Sequence, residues 1–164
     1  MPLPLEGRRV HRGRPRLPSG AMEQTLVWDI VAQDRDLTSL QTLVLQANTI
    51  SGPIPDSIGR LRMLEILDMS SNKLNGTIPS SLGNLKNLNN LALQNNVISG
   101  HIPHSVGRLV MLDTLDMSNN RLTGTILSSF GHLKNLNYLG LQNNAICNKT
   151  TSFIISMLFL SWIT

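Results

Sequence analysis

The stretch LRMLEILDMSSNKLNGTIPSSLGN, residues 61–84, decides the fold, because related copies of it stand before and after it. The pattern recurs every 24 residues from Leu37 onward. The positions that keep one residue type are the leucines at 40, 64, 88, 112 and 136, the asparagines at 48, 72, 96, 120 and 144, and the glycines at 52, 76, 100 and 124. Such a period predicts a solenoid, in which each unit buries its apolar side against its neighbours. A solenoid offers an extended surface, which favours binding over catalysis.

Each copy begins with a predicted strand. Around Leu67 and Met69, apolar and variable residues alternate, which is the period-two pattern of a short strand. From this alternation we expect Leu67 and Met69 to point inward. Ile66, Asp68 and Ser70 are then expected to point outward. We expect five such strands, stacked in parallel about 4.7–4.9 Å apart.

The second half of each copy predicts a turn and a short helix. The amide of Asn72 can donate and accept hydrogen bonds, so the five aligned asparagines are expected to satisfy buried backbone groups. Gly76 permits a turn with positive φ, and the segment 79–83 predicts a helical turn on the outer side with Leu82 packed inward. The fold class is therefore α/β: a curved, right-handed coil with parallel strands on the concave side and short helical turns outside.

A longer period alternates the chemistry of the concave side. Residues 61–84 match residues 109–132 at 15 of 24 positions but match the adjacent copy, 85–108, at only nine, so the unit of duplication is 48 residues. Asp68 and Asp116 consequently lie two strand spacings apart, about 10 Å. The outward strand residues are the candidate contact residues: Thr42, Val44, Ile66, Asp68, Asn90, Ala92, Thr114, Asp116 and Tyr138.

Tyr138 is the single tyrosine of the chain. Aromatic side chains are enriched at binding hot spots, so it is a candidate contact. A residue that shields the last strand is the alternative interpretation.

Composition divides the chain into four segments. Residues 1–20 hold five arginines and one acid with several Pro and Gly, which predicts a disordered, solvated tail; residues 21–36 are interpreted as a degenerate N-terminal cap. The repeats occupy 37–148 in about five copies, and 149–164 form an apolar C-terminal tail. The basic tail accounts for the whole net charge of +4, so no nucleic-acid partner is expected for the repeats.

Neither end carries a complete secretion or membrane signal. No run of about 7–15 apolar residues follows the basic tail, and SFIISMLFLSWIT, residues 152–164, is shorter than the roughly 18–20 residues that span a bilayer. This segment could cover the open end of the solenoid, associate with a membrane as a truncated anchor, or be a by-product of mis-splicing. Cys147, the sole cysteine, has no partner for an internal disulfide and is interpreted as a neutral substitution.

The strings LQNNVISGHIPHSVGRL (93–109) and SSLGNLKNLNNL (80–91) resemble the plant-type leucine-rich repeat of receptor-like kinase ectodomains. They are most similar to the short ectodomains of the somatic embryogenesis receptor kinases and the NSP-interacting kinases. The resemblance covers residues 37–148 and implies contact with a steroid or peptide ligand, together with a partner receptor, through the inner or lateral surface. Trp28-Asp29 resembles part of the family's N-terminal cap, whose cysteine pair is absent here, and Leu127 replaces the proline found at 55, 79 and 103.

No catalytic constellation is apparent. The chain lacks the Gly-rich loop, His-Arg-Asp and Asp-Phe-Gly motifs of kinases, and Asp68 with Asp116 is not expected to act as an acid–base pair. His101, His104 and His132 fit no zinc pattern, so no metal and no cofactor are predicted. Two glycosylation sequons begin at Asn75 and Asn148.

The leading hypothesis is a non-catalytic recognition module for a protein or peptide ligand, with a receptor kinase as a candidate partner. Resemblance implies a role in signalling at the plasma membrane or cell surface, and a cytoplasmic location is the alternative because no signal peptide is apparent. Two other interpretations stay open: a fragment of a membrane receptor serine/threonine kinase whose kinase domain lies outside this chain, and a non-functional gene-model remnant without a stable fold.

Overall fold

The computed structural model describes residues 39–147. The predicted basic tail, N-terminal cap and apolar tail, and the sequon at Asn148, lie outside the described residues. The strands of the described part are β1 (Thr42–Val44), β2 (Ser51–Pro53), β3 (Ile66–Asp68), β4 (Lys73–Asn75), β5 (Asn90–Ala92), β6 (Ser99–His101), β7 (Thr114–Asp116), β8 (Arg121–Thr125), β9 (Tyr138–Gly140) and β10 (Ala145–Cys147).

The predicted five-stranded parallel sheet is confirmed. Its strands follow the order β1-β3-β5-β7-β9, so each coil contributes one strand and pairs only with its sequence neighbours. Leu67 pairs with Leu43 on one side and with Leu91 on the other, an offset of one repeat at each step. The solenoid architecture expected from the period is therefore present.

The interior is formed by the constant leucines of the repeat. Leu64, Leu88 and Leu112 are fully buried, and so are the inward strand residues Leu67 and Leu91. One continuous apolar cluster runs from Ile54 to Leu136. Because each coil covers the next, no unit could bury this surface alone.

The aligned asparagines satisfy the backbone between coils, as predicted. Asn96 is 8% exposed, and its Nδ2 donates to the carbonyls of Met69 (3.0 Å), Leu93 (3.1 Å) and Gln94 (3.4 Å). Its Oδ1 accepts the N–H of Leu74 at 2.9 Å. The same pattern repeats at Asn72, Asn120 and Asn144.

Within residues 39–147, four 3-10 helices of five residues each form the outer side, and they confirm the predicted helical turn. They span Asp56–Arg60, Ser80–Asn84, His104–Arg108 and Ser128–His132. The first three follow a proline, and the fourth follows Leu127, whose φ of −81° and ψ of 140° match those of Pro79 at −71° and 139°. Replacement of proline at this position therefore leaves the local path of the chain unchanged.

A glycine in the helix lets neighbouring outer helices approach closely. A Cβ on Gly83 would lie 2.5 Å from the carbonyl oxygen of Ser105 and 2.6 Å from its Cβ. The same close approach occurs between Gly59 and Ser81. No larger residue fits at these positions without a shift of the backbone.

Two further parallel sheets were not predicted from the sequence. One joins β2 with β4, and the other has the order β10-β8-β6. They arise just after the asparagine of each coil, around glycines with positive φ such as Gly52 and Gly124. The sequence there, for example Ser-Gly-Pro in β2, has the composition of a turn, which explains why the strands were missed.

One predicted orientation is wrong. Ser70 was placed on the outward side, yet it is fully buried, and its equivalent Ser118 is 3% exposed. The strand ends before Ser70, so the alternation of the strand does not extend to it. Its Oγ instead donates to Asp68 Oδ1 at 2.7 Å.

Candidate functional site

The outward residues of the five-stranded sheet form two columns, which together we call the strand face. The first column runs through the pairs Thr42–Ile66, Ile66–Asn90, Asn90–Thr114 and Thr114–Tyr138. The side chains of Ile66, Asn90 and Thr114 are half-buried. Tyr138, at the last strand, is 46% exposed and presents its ring to solvent. The register predicted for this column is thus the observed one.

The second column contains Val44, Asp68, Ala92, Asp116 and Gly140 in register. Val44 is 56% exposed and both aspartates are half-buried. Ala92, one of the predicted contact residues, is only 7% exposed. Its methyl group is too short to rise between Asp68 and Asp116, so it forms the floor of the column.

Hydrogen bonds orient both aspartates. Asp68 Oδ1 accepts the backbone N–H of Ser70 at 3.0 Å as well as its hydroxyl. Asp116 Oδ1 accepts the N–H of Ser118 at 2.9 Å. One oxygen of each carboxylate is therefore anchored to its own turn, and the two charged groups keep the spacing of the strands that carry them.

The side chains of Asp116 and Tyr138 meet above Gly140. A Cβ at this position would collide with Asp116 Oδ1, and it would lie 2.8 Å from Asp116 Cγ and 3.1 Å from Tyr138 Cε1. The carboxylate of Asp116 and the ring of Tyr138 thus fill the space above Gly140 and leave no room for a methyl group. We call this arrangement the Asp116–Tyr138 pair.

The strand face is acidic, a property that the sequence reasoning missed. Residues 39–147 contain five acids, and four of them lie on or immediately before a strand of the five-stranded sheet: Glu65, Asp68, Asp113 and Asp116. The seven basic residues of the same range all lie outside these strands, at Arg60, Arg62, Lys73, Lys86, Arg108, Arg121 and Lys134. Overall neutrality conceals this separation, although the 48-residue spacing of Glu65 from Asp113 was visible in the sequence.

The remaining candidates are separate from this face. His101, His104 and His132 are exposed residues of β6 and the outer helices, and Cys147 is an exposed free thiol. Within residues 39–147 no group of three or more His, Cys, Asp and Glu side chains could hold a metal ion. Asn75, the acceptor of the first sequon, is exposed at the end of β4. No helix in the described part of the chain is long and apolar enough to cross a membrane.

The arrangement can bind but shows no catalytic geometry. The strand face carries hydroxyl, amide, carboxylate and aromatic groups on a rigid sheet, with aspartates whose hydrogen bonds are to backbone and serine groups. Two hydroxyl groups donate to carboxylates, that of Ser70 to Asp68 and that of Thr114 to Asp113, but Ser70 is fully buried and Thr114 bonds the residue next to it in the chain. A regular array of varied side chains suits contact with an extended partner.

Comparison with known proteins places this geometry in a family. The model of a leucine-rich repeat region matches residues 30–161. One similar solved structure is the ectodomain of the Arabidopsis thaliana membrane receptor kinase GASSHO1/SCHENGEN3, in complex with CASPARIAN STRIP INTEGRITY FACTOR 2. It is 44% identical to this chain with a TM-score of 0.66, and the match covers 66% of this chain and 13% of the GASSHO1/SCHENGEN3 chain. The Arabidopsis BIR3–SERK2 complex is 37% identical with a TM-score of 0.61 and covers 63% of this chain and 56% of that chain.

The Arabidopsis BIR2 ectodomain is similar at 30% identity with a TM-score of 0.60, covering 65% of this chain and 69% of that chain. The comparison with curated proteins found no match. This chain spans only a small part of the longer ectodomains that it resembles. The family match and the observed solenoid agree with the resemblance found in the sequence, and the chain belongs to the leucine-rich repeat family, in the form found in plant receptor kinase ectodomains.

Proposed function

We propose that this chain is a non-catalytic recognition module that binds a peptide or protein ligand on its strand face. The observation that carries the proposal is the contrast within each repeat between constant buried residues and variable residues on the strand face. The constant leucines, such as Leu64, Leu88 and Leu112, are buried and build the coil, whereas the strand face, like other surface positions of the repeat, varies from coil to coil. Variation at exposed positions on a rigid scaffold is typical of a binding surface.

The solved relatives support a peptide ligand. PEPR1 was solved with AtPEP1, and HAESA with the peptide hormone IDA and the co-receptor SERK1. These chains are 36% and 39% identical to the present one over about two thirds of its length. By analogy, a small peptide and a receptor kinase are the partners that we propose for this chain.

Selection from a random peptide library displayed on phage, with the full chain as bait, tests the proposal. We expect selected peptides to lose affinity with Tyr138→Ala, which shortens the most exposed aromatic residue of the strand face. Val110→Ala is the matched control, because Val110 is 48% exposed but lies outside the sheet. Peptides that lose affinity with Val110→Ala, or that are insensitive to Tyr138→Ala and to Ile66→Ala, would contradict binding at the strand face.

We further propose that the chain acts at the cell surface, as the membrane receptors that it resembles do. The support within the chain is the sequon at Asn75, whose exposed side chain is accessible to a glycosyltransferase. Expression in plant cells should give a protein whose electrophoretic mobility shifts on endoglycosidase treatment, and Asn75→Gln should remove the part of the shift due to this site. An unglycosylated protein would favour a cytoplasmic scaffold instead.

A further inference from the structure

We infer that the ligand of the strand face is a cationic peptide in the polyproline II conformation, with an arginine or lysine at every third residue. The inference rests on the proposed function, because it names the ligand class for the same surface. Three features of the described residues support it: the sign of the charge, the spacing of the carboxylates and the Asp116–Tyr138 pair at one end of the strand face.

The charge of the strand face selects a cation. All the charged residues on or just before the five strands are acids, whereas the seven bases of residues 39–147 are confined to turns, outer helices and the second sheets. Within the described residues, Asp68 and Asp116 are hydrogen-bonded to serine groups and form no ion pair with a basic side chain. Complementary charge on the partner would both attract it and fix its register.

The spacing of the carboxylates selects a peptide conformation. Asp68 lies on β3 and Asp116 on β7, with β5 between them, so the two positions are about 9.4–9.8 Å apart across the sheet. A polyproline II helix has three residues per turn and rises about 3.1 Å per residue, so side chains i and i+3 lie on one face about 9.3 Å apart. In an extended β-strand, same-side neighbours are about 6.6 Å apart, which fits neither one nor two strand spacings.

The residue between the two aspartates favours the same fit. Ala92 forms the low floor of the column at 7% exposure, so the peptide can approach the sheet between its two cationic side chains. Glu65 and Asp113 repeat the same 48-residue spacing at the starts of β3 and β7. These two acids add negative charge at the start of the same strands, about 10 Å along the strand from Asp68 and Asp116.

The Asp116–Tyr138 pair favours arginine at one end of the peptide. The carboxylate of Asp116 and the ring of Tyr138 lie side by side on the strand face, and Tyr138 is 46% exposed. Arginine binds carboxylates through two parallel hydrogen bonds and stacks its plane on aromatic rings. A guanidinium group at the exposed side of the pair can therefore make contacts that the ammonium group of lysine cannot.

Fluorescence anisotropy with synthetic peptides tests the inference on the full chain. The probe carries four Arg-Pro-Pro units, and the control peptide has the same four arginines separated by three prolines each. We expect the first peptide to bind about tenfold more tightly, because only its arginines match the spacing of both aspartates. The double variant Asp68→Asn, Asp116→Asn should lower its affinity by tenfold or more, since two charge-assisted contacts are lost.

Asp56→Asn is the matched control variant. It removes one acid that is exposed on an outer helix, and binding of the Arg-Pro-Pro peptide should stay unchanged. Asparagine retains the Oδ1 acceptor at positions 68 and 116, so the folded state should persist, which circular dichroism can verify.

Several outcomes would overturn the inference. Equal affinity for the two peptides would show attraction by charge without recognition of spacing. Loss of binding with Asp56→Asn, or its retention in the double variant, would place the contact elsewhere. Binding that appears only after removal of residues 1–20 would assign the strand face to the chain's own basic segment. If the displayed library instead yields neutral peptides that depend on Tyr138, the proposed function stands and the cationic ligand class fails.

Discussion

The constant buried residues of the solenoid, which we call the frame, and the strand face contain the same residue types in different roles. Asn96 and Asn90 stand in one coil: the first is almost fully buried and makes four hydrogen bonds to backbone groups, whereas the second is half-buried in the variable column of the strand face. Stability is therefore concentrated at the constant positions of the repeat. The variable positions are left free to specify a ligand, so mutations in the two regions should separate stability from binding.

The largest effect on the frame is expected from Asn96→Ala. It leaves the buried N–H of Leu74 without its side-chain acceptor, which costs about 1–3 kcal/mol. It also removes one of two side-chain donors to each of the carbonyls of Met69 and Leu93, which keep Asn72 and Asn120, and each lost hydrogen bond costs about 0.5–1.5 kcal/mol. We expect the free energy of unfolding in urea to fall by about 3 kcal/mol.

The matched control for Asn96→Ala is Asn95→Gly. Asn95 is exposed with φ of +58°, a conformation that glycine keeps without strain. Removal of the Asn95 side chain should lower the free energy of unfolding by less than about 1 kcal/mol. Equal losses from the two variants would show that the buried asparagines do not hold the coils together.

The next effect concerns the packing of the outer helices. Gly83→Ala would place a methyl group against the backbone of Ser105, and overpacking of this kind costs about 1–3 kcal/mol. We expect thermal unfolding to show a loss of about 2 kcal/mol.

Ser81→Ala, two residues away, is the control for Gly83→Ala. Its Oγ is buried and has no hydrogen-bond partner in the described part of the chain, so its removal should leave stability equal or slightly higher. If Gly83→Ala is as well tolerated as Ser81→Ala, the outer helices are not closely packed in solution.

A smaller and opposite effect is expected in the first described coil. Ala47 has φ of +56°, where the equivalent residues in the third, fourth and fifth coils are Asn95, Asn119 and Asn143. Asparagine tolerates the left-handed region better than alanine, so Ala47→Asn should raise the free energy of unfolding by about 0.5–1 kcal/mol. Gln46→Asn, at the preceding exposed position, is the control and should change the free energy of unfolding by less. If Gln46→Asn stabilised the protein and Ala47→Asn did not, relief of backbone strain at Ala47 would be contradicted.

The smallest change in stability is expected on the strand face. Asp68→Asn keeps the Oδ1 acceptor for Ser70 and removes one charge from an acidic surface, so the free energy of unfolding should change by less than about 0.5 kcal/mol. Urea denaturation of the wild type and of Asp68→Asn, at low and at high salt, measures this change in the free energy of unfolding. A loss above about 1.5 kcal/mol would mean that this carboxylate belongs to the frame.

The sequence predicted most of the frame because its signals are local and repeated. Leu67 and Asn72 stand at constant positions and Pro79 at one that is proline in three of four coils, and strand, turn and short helix were found there. The second sheets were missed because Gly52 and Pro53 have the composition of a turn, and their pairing depends on the next coil. Ser70 was misplaced because the strand ends at Asp68, two residues before the last outward position that the alternation suggests.

The columns of the strand face were also predictable from the sequence, whereas the character of the surface was not. The period fixed which residues stand beside Asp68 and Asp116, but not that Ala92 is only 7% exposed. The Asp116–Tyr138 pair depends on the positions of the two side chains relative to each other in three dimensions. Net charge concealed the separation of acids and bases, because it sums over surfaces that face in different directions.

The most direct test of the separation between frame and face is amide chemical-shift mapping of the isotopically labelled full chain during titration with the Arg-Pro-Pro peptide. The account predicts that the largest shifts occur in β3, β5, β7 and β9, centred on Asp68, Asp116 and Tyr138, and that the outer helices shift little. Shifts concentrated in the outer helices or in the sheets around β4 and β8 would contradict it.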